Sequence, residues 1–339
     1  MRENERRYFH RKPHLKKNMK SKFAAIHIAL SLCASLLPAG AASATLPIRN
    51  RIQWLENNGY CGETSLQECA LYFGIYASQF CIRDLIDPTQ QNDLVELEEW
   101  ARVLDALGLK AVVFPTDRVA APQYKVFEVW AKQQLARRHP VIATCYFFNG
   151  TPPADDPVDH IVTLTSFTAA NLTAYSPDDA FVFNHHIPRT TEGLPGAPAA
   201  FAQRAKWLFD LRSMTGPGAI YGYAIQKEVN YALAIAGTTN ESPFARPVRV
   251  ELDRIGEPNV IAGEEPALLA AEIKIESLTP GVTYVLYRYN DPATVPAAHY
   301  AARPSDSKVV FKATASTHTL TDAIPSKSVA IFRCLPAGR

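Results

Sequence analysis

Beyond residue 45 this 339-residue chain has no run of eighteen or more uninterrupted apolar residues, so no membrane-spanning helix is expected there. It has no repeat at solenoid periods and no low-complexity tract. With 47% hydrophobic and 20% charged residues, its composition excludes a collagen-like or intrinsically disordered protein. It also lacks a basic patch in its body. Of the 35 Lys and Arg, nine lie in the first 44 residues, beside two of the 33 Asp and Glu. The remainder, 26 basic against 31 acidic, carries about −5. A mildly acidic body argues against nucleic acid as partner.

The front of the chain reads as an export signal. Lys20-Ser21-Lys22 supplies a basic start, Phe23 to Leu37 an apolar middle, and Ala42-Ser43-Ala44 a small-residue cleavage site. Residues 1–44 are therefore expected to be removed, with Met19 as the more ordinary start of such a signal, and the mature protein is expected to be secreted or periplasmic. Cleavage after Ala44 leaves Cys61, Cys69, Cys81, Cys145 and Cys334, an odd number whose pairing the sequence does not determine. Asn149, Asn171 and Asn240 open Asn-x-Ser/Thr triplets, which matter only in a glycosylating host.

Apolar residues at Leu66, Cys69, Ala70 and Phe73, with Gly74 as a stop, predict a helix over residues 61–74. The same spacing predicts helices over 93–107 and 126–137. Short β-branched and aromatic runs then predict strands at 141–148, 160–167, 180–184 and 219–226. Helices followed by antiparallel strands make an α+β domain over residues 45–240. The polar stretch ending at Pro247 marks a linker at 241–247. The runs at 248–255, 268–278, 283–289, 308–315 and 328–334 predict a small β-sandwich accessory domain over 248–339.

One segment carries chemistry. In Asn57-Asn58-Gly59-Tyr60-Cys61-Gly62-Glu63 a cysteine stands where a helix begins. Unsatisfied N–H groups and the positive end of the helix dipole lower a thiol's pKa there, and the thiolate is the nucleophile. Glu63 opposes this, because a carboxylate beside the sulfur raises that pKa. Acyl transfer also needs a proton carrier, and His160 at the start of a strand is the candidate. A third group must fix the imidazole. Asn184, ending the strand 180–184, is the first choice; Asp178 and Asp179, in the turn before that strand, are the alternatives. The Cys61 N–H and an upstream side-chain amide can bind an oxyanion. His185 and His186 with Asp155, Asp156 and Asp159 have neither zincin nor EF-hand spacing, so no metal is expected.

A helix-borne Cys, then a strand His, then Asn or Asp on the next strand is the order found in papain-fold cysteine peptidases. With its Cys-Gly-x-x-Ser-Leu string, the segment resembles the bacteriocin-leader-processing peptidases and their secreted relatives over about residues 50–230. The resemblance implies a papain-like fold with Cys61 as nucleophile, His160 as general base and acid, and Asn184 as orienting residue. It further implies Gln53 in the oxyanion hole, with Asn57 or Asn58 as replacements because Gln53 stands eight residues before Cys61.

The chain is thus expected to be an exported cysteine peptidase that cuts peptide or isopeptide bonds in a peptide or protein substrate, without a cofactor. Transglutaminase or amidase chemistry would use the same residues. A catalytically degenerate papain fold that binds a surface partner is the rival from another class.

Overall fold

Secondary structure follows the apolar spacing closely at the first helix. In the computed structural model α1 (Cys61–Tyr72) ends two residues before Gly74, whose φ of +72° is a left-handed conformation suited to glycine. The structure describes residues 41–54, 59–86, 97–147, 158–186, 200–204, 220–221, 229–239, 242–254, 267–296, 300 and 304–339. Residues 1–40, most of the expected export signal, lie outside them. The short strand β1 (Ala42–Thr45) spans the expected cleavage point and pairs with residues 166–169.

Three more helices follow: α2 (Gln79–Ile86), α3 (Leu97–Leu107) and α4 (Tyr124–Ala136). Around them run β2 (Ile75–Ala77), β3 (Leu109–Val113), β4 (Val141–Phe147), β5 (Val158–Ala169), β6 (Ala180–Asn184), β7 (Ala200–Arg204), β8 (Ile220–Tyr221) and β9 (Ala232–Thr238). The C-terminal part holds β10 (Val248–Leu252), β11 (Leu268–Ile275), β12 (Thr283–Tyr289), β13 (Ser307–Lys312), β14 (His318–Pro325) and β15 (Val329–Pro336). Helices and antiparallel sheets together make an α+β fold.

Among the described residues the largest sheet runs β3-β9-β4-β5-β6-β7, with β1 on β5 and β8 on β4. Its two faces are separated by strand alternation. Val141, Ala143, Cys145, Val162, Leu164 and Phe183 face the core shared with Phe127, Ala131 and Leu135 of α4. Ile142, Leu233 and Ile235 face the opposite core, with Leu66, Cys69 and Ala70 of α1 and Trp100 and Leu104 of α3.

Two smaller sheets, β10-β11-β14 and β13-β12-β15-β2, enclose a third core built on Val250, Ile273, Tyr284 and Phe332. In the second of these sheets β12, β15 and β2 are largely buried, and the edge strand β13 is exposed. Val285, Tyr287, Ile331 and Leu335 point away from the sandwich into the core of α1 and α3. Its last strand, β2, comes from between α1 and α2: Ile75, Tyr76 and Ala77 pair with Ile331, Ala330 and Val329. Residues Ala39–Arg339 form one compact unit.

Gly74 is the joint between the two halves. Its carbonyl accepts the Phe332 N–H at 2.8 Å. A Cβ there would sit 3.0 Å from both Cβ and the carbonyl oxygen of Val248 and 3.1 Å from the Phe332 oxygen. Gly74→Ala combines this overlap with an unfavourable φ, and is expected to cost about 2–4 kcal/mol in equilibrium denaturation. A loss below about 0.5 kcal/mol would show that the joint is loose.

Candidate functional site

Gly59, at φ +92°, turns the chain into α1, and Tyr60 closes the first turn by accepting the Thr64 N–H at 2.9 Å and hydroxyl at 2.7 Å. Arg83 of α2 clamps this corner. It pairs with Glu63, donates to the Gly59 carbonyl at 2.9 Å, and lies over the Tyr60 ring with its guanidinium carbon 4.3 Å from the centroid. Burial raises the pKa of the Glu63 carboxyl, with Arg83 pulling the other way.

Cys61 is 5% exposed, and none of Cys61, Cys69, Cys81, Cys145 and Cys334 is in a disulfide. Burial, followed by the Glu63 charge, pushes the Cys61 thiol up to about 12. The N–H groups of Ile161, Gly62 and Cys61 itself pull downward and are outweighed. The effect expected of a helix start is therefore present, but desolvation dominates it. The Ile161 contact brings the sulfur to the α1 side of β5, next in sequence to His160, whose side chain lies on the other row.

His160 is buried, and its Nε2 is 3.0 Å from Nδ1 of His185, the rings packing edge to face at a centroid distance of 4.9 Å. Burial, then the neighbouring His185 and His186, hold its pKa well below the ordinary histidine value, so the ring is neutral at neutral pH. One of the two facing nitrogens must carry a hydrogen, and the pair therefore fixes linked tautomers in both rings. By strand alternation His160 belongs to the Val162–Leu164 row, in register with Cys145, while Ile161 lies on the α1 side.

Asn184 points to α1: its amide donates to Glu68 Oε2 at 3.0 Å. Glu68 Oε1 accepts the Arg51 N–H at 2.7 Å and lies 3.4 Å from His186 Nδ1, whose ring Nε2 is 2.8 Å from Ser65 Oγ. Arg51 Nε continues the network to Gln67 Oε1 at 2.6 Å. Ser65, Glu68, His186 and Asn184 therefore form one network on α1, and His185 is the hydrogen-bond partner of His160. Sequence reasoning weighed His185 and His186 only as metal ligands and passed over Ser65 and Glu68. Ser65 and Glu68 had a visible signal, because they lie four and seven residues after Cys61, on one helix face.

Gln53 reaches the site by its backbone, donating its N–H to the His186 carbonyl at 2.9 Å, and its side-chain Oε1 is buried without a hydrogen-bond partner among the described residues. Asn57, Asn58, Asp155 and Asp156 lie outside the described residues. Asp178 is exposed, and Asp179 is buried against Lys132 with its Oδ1 accepting the Ala170 N–H at 3.1 Å. These two precede Ala180, which pairs with Thr168, eight residues or about 26 Å along β5 from His160. Among the described residues no group of three or more His, Cys, Asp or Glu is arranged to hold a metal ion.

A scan against protein-family models finds no match to this chain, and a search of curated proteins finds none.

Glu68→Ala would leave the Arg51 N–H and the Asn184 amide without their acceptor and is expected to cost about 3 kcal/mol in chemical denaturation. A loss under about 1 kcal/mol would show that the network contributes little. The Cys61 thiol gives a second test. In the folded chain it stays protonated up to about 12, whereas the unfolded chain ionises it near the ordinary 9.0. The unfolded state therefore holds fewer protons between those values, and stability falls as pH rises through that window. Cys61→Ala should flatten the fall; an unchanged slope would contradict the burial of this thiol.

Proposed function

We propose that the chain is a papain-like, exported cysteine hydrolase that cleaves peptide or isopeptide bonds through an acyl-thioenzyme at Cys61. The observation that supports this reading is the closeness of the Cys61 sulfur to the N–H of Ile161, the strand residue next to His160, with the His160 side chain itself on the opposite row of β5. The resting pair is thiol and neutral imidazole. The reaction requires the His160 ring, which lies on the other row of β5, to turn past the strand to the sulfur. As the sulfur attacks the substrate carbonyl carbon, His160 then takes the thiol proton, and a C–S bond forms. His160 then gives the proton to the leaving nitrogen as the C–N bond breaks, and water hydrolyses the thioester. His185 holds the imidazole in orientation, the role that the resemblance gives to Asn184. Asn184 acts one step further out, through Glu68. The Cys61 N–H is available to a developing oxyanion at the helix start.

A binding protein without turnover is the second reading, favoured by the thiol's burial and its ionisation near 12. In this reading Cys61 is a core residue and the β-rich C-terminal part is the recognition surface.

Hydrolysis of a fluorescein-labelled unfolded protein separates the two. Turnover is expected in the wild type and to fall at least about 1000-fold in Cys61→Ala. Because His160 is already neutral, kcat/KM should stay flat from about pH 6 to about pH 9, with its acid limb below the ordinary histidine range. Turnover that survives Cys61→Ala, or an acid limb at or above about 6.5, would contradict the mechanism. No turnover in any form would favour the binding reading.

A further inference from the structure

A cleft of about 670 Å³ opens at the end of α1 remote from Cys61. Eleven residues of helix separate Cys61 from Tyr72, about 17 Å. The cleft is lined by five arginines: Arg137 and Arg138 from the turn after α4, Arg246 and Arg249 around the start of β10, and Arg333 of β15. Glu276 is the carboxylate among its lining residues, and it is already paired with Arg249. Apart from Glu276, no carboxylate is among the described residues that line the cleft.

Local needs explain two of the five. Arg333 donates to the Phe73 and Phe332 carbonyls at 3.3 and 2.8 Å, capping the negative end of α1, and Arg249 has Glu276. Of the other three, Arg138 bonds Tyr72 and Arg246 bonds the Tyr284 hydroxyl, and none has a carboxylate partner among the described residues. Arg137 is exposed. Arg138 has φ +65°, a helix-end position where glycine is the ordinary residue, and its Nε donates to the Tyr72 hydroxyl at 3.2 Å. Arg246 lies over the Tyr284 ring at 5.9 Å, and its Nε is buried with no hydrogen-bond partner among the described residues. Like charges gathered in a concave, partly apolar space repel one another and attract an anion. The Arg137 charge, after burial, also lowers the pKa of the neighbouring His139.

We propose that this cleft binds a small organic phosphate, with Arg137, Arg138 and Arg246 holding the phosphoryl oxygens and Tyr72 and Phe73 covering the rest of the molecule. Guanidinium groups match phosphate oxygens in paired, forked contacts. A phosphate or diphosphate concentrates in one place the charge that several arginines require; a lone carboxylate does not. The cavity lies within the size range of small-molecule sites, and its Tyr72–Phe73 corner, with rings edge to face at 4.9 Å, offers an apolar wall. The assignment is independent of any chemistry at Cys61.

Isothermal titration of the full chain with adenosine 5′-diphosphate, glucose 6-phosphate, inorganic pyrophosphate and hexaglutamate tests it. At least one of the two organic phosphates should bind, with an affinity that falls as salt rises. That affinity should drop at least about tenfold in Arg137→Ser and in Arg246→Gln, a loss typical of a charged hydrogen bond. Arg137 is exposed, so its variant should melt as the wild type does and keep the test valid if Arg246→Gln unfolds. Failure of both organic phosphates, or affinities unchanged in Arg137→Ser, would overturn the proposal. So would pyrophosphate binding as tightly as either of them, which would mean that the cleft takes a bare anion. Hexaglutamate binding in their place would reassign the cleft to acidic peptides.

Discussion

A polar helix buried on every side is the constraint on which the rest of the structure depends. Every residue of α1 from Cys61 to Leu71 is buried, including Glu63, Thr64, Ser65, Gln67 and Glu68. Burying two carboxylates and three other polar side chains is costly unless each finds a partner. The partners come from distant parts of the chain: Arg83 for Glu63, His186 for Ser65, and Arg51 and Asn184 for Glu68. Gln67 donates to the Ala77 carbonyl at 2.7 Å, which ties the helix to the short strand that completes the C-terminal sheet. These bonds set the position of α2, the segment before α1 and the end of β6, and the surrounding apolar packing adds burial around that arrangement.

The same enclosure governs the chemistry. A helix start offers a thiol its N–H groups and dipole, but these act on the charged form, which a dry site penalises more strongly. Cys61 therefore rests as a thiol and His160 as a neutral imidazole, and in the proposed reaction the proton moves only as substrate arrives. Arg83 limits the damage done by Glu63 by neutralising much of its charge. Because the Glu63–Arg83 pair and the Glu68 network lie on the same helix as the sulfur, a change that disturbs either also moves Cys61.

Much of the framework was legible in the sequence. The strand at 180–184 was read to its ends, and the helix over 61–74 differs from α1 only where Gly74 and the residue before it leave the helix. The elements that were missed have weak local signals. The Ala-rich β9 has only Ile235 and Thr238 as β-branched residues, and β2 is three residues long and makes sense only against β15. No periodicity could show that Ile75–Ala77 belongs to a sheet closed some 250 residues later; that pairing is purely tertiary. At the site, Cys61 and His160 were visible as types in order along the chain. The surrounding network was not visible, because Glu68 and Ser65 look like ordinary helix-surface residues until the helix is seen to be buried, and because His185 and His186, adjacent in sequence, turn to different partners, His160 and Ser65.

Proton transfer within a buried pair is best tested by trapping its product. The full chain would be mixed at neutral pH with an activated peptide ester, quenched in acid within milliseconds to seconds, and measured by intact mass and peptide mapping, beside His160→Gln and Cys61→Ser. The expected result is a single acyl group on Cys61 in the wild type, absent in Cys61→Ser and forming at least about 100-fold more slowly in His160→Gln, as loss of a general base requires. An acyl group that forms on Cys61 equally fast without the His160 imidazole, or none on Cys61 at all, would contradict a thiol activated by this histidine.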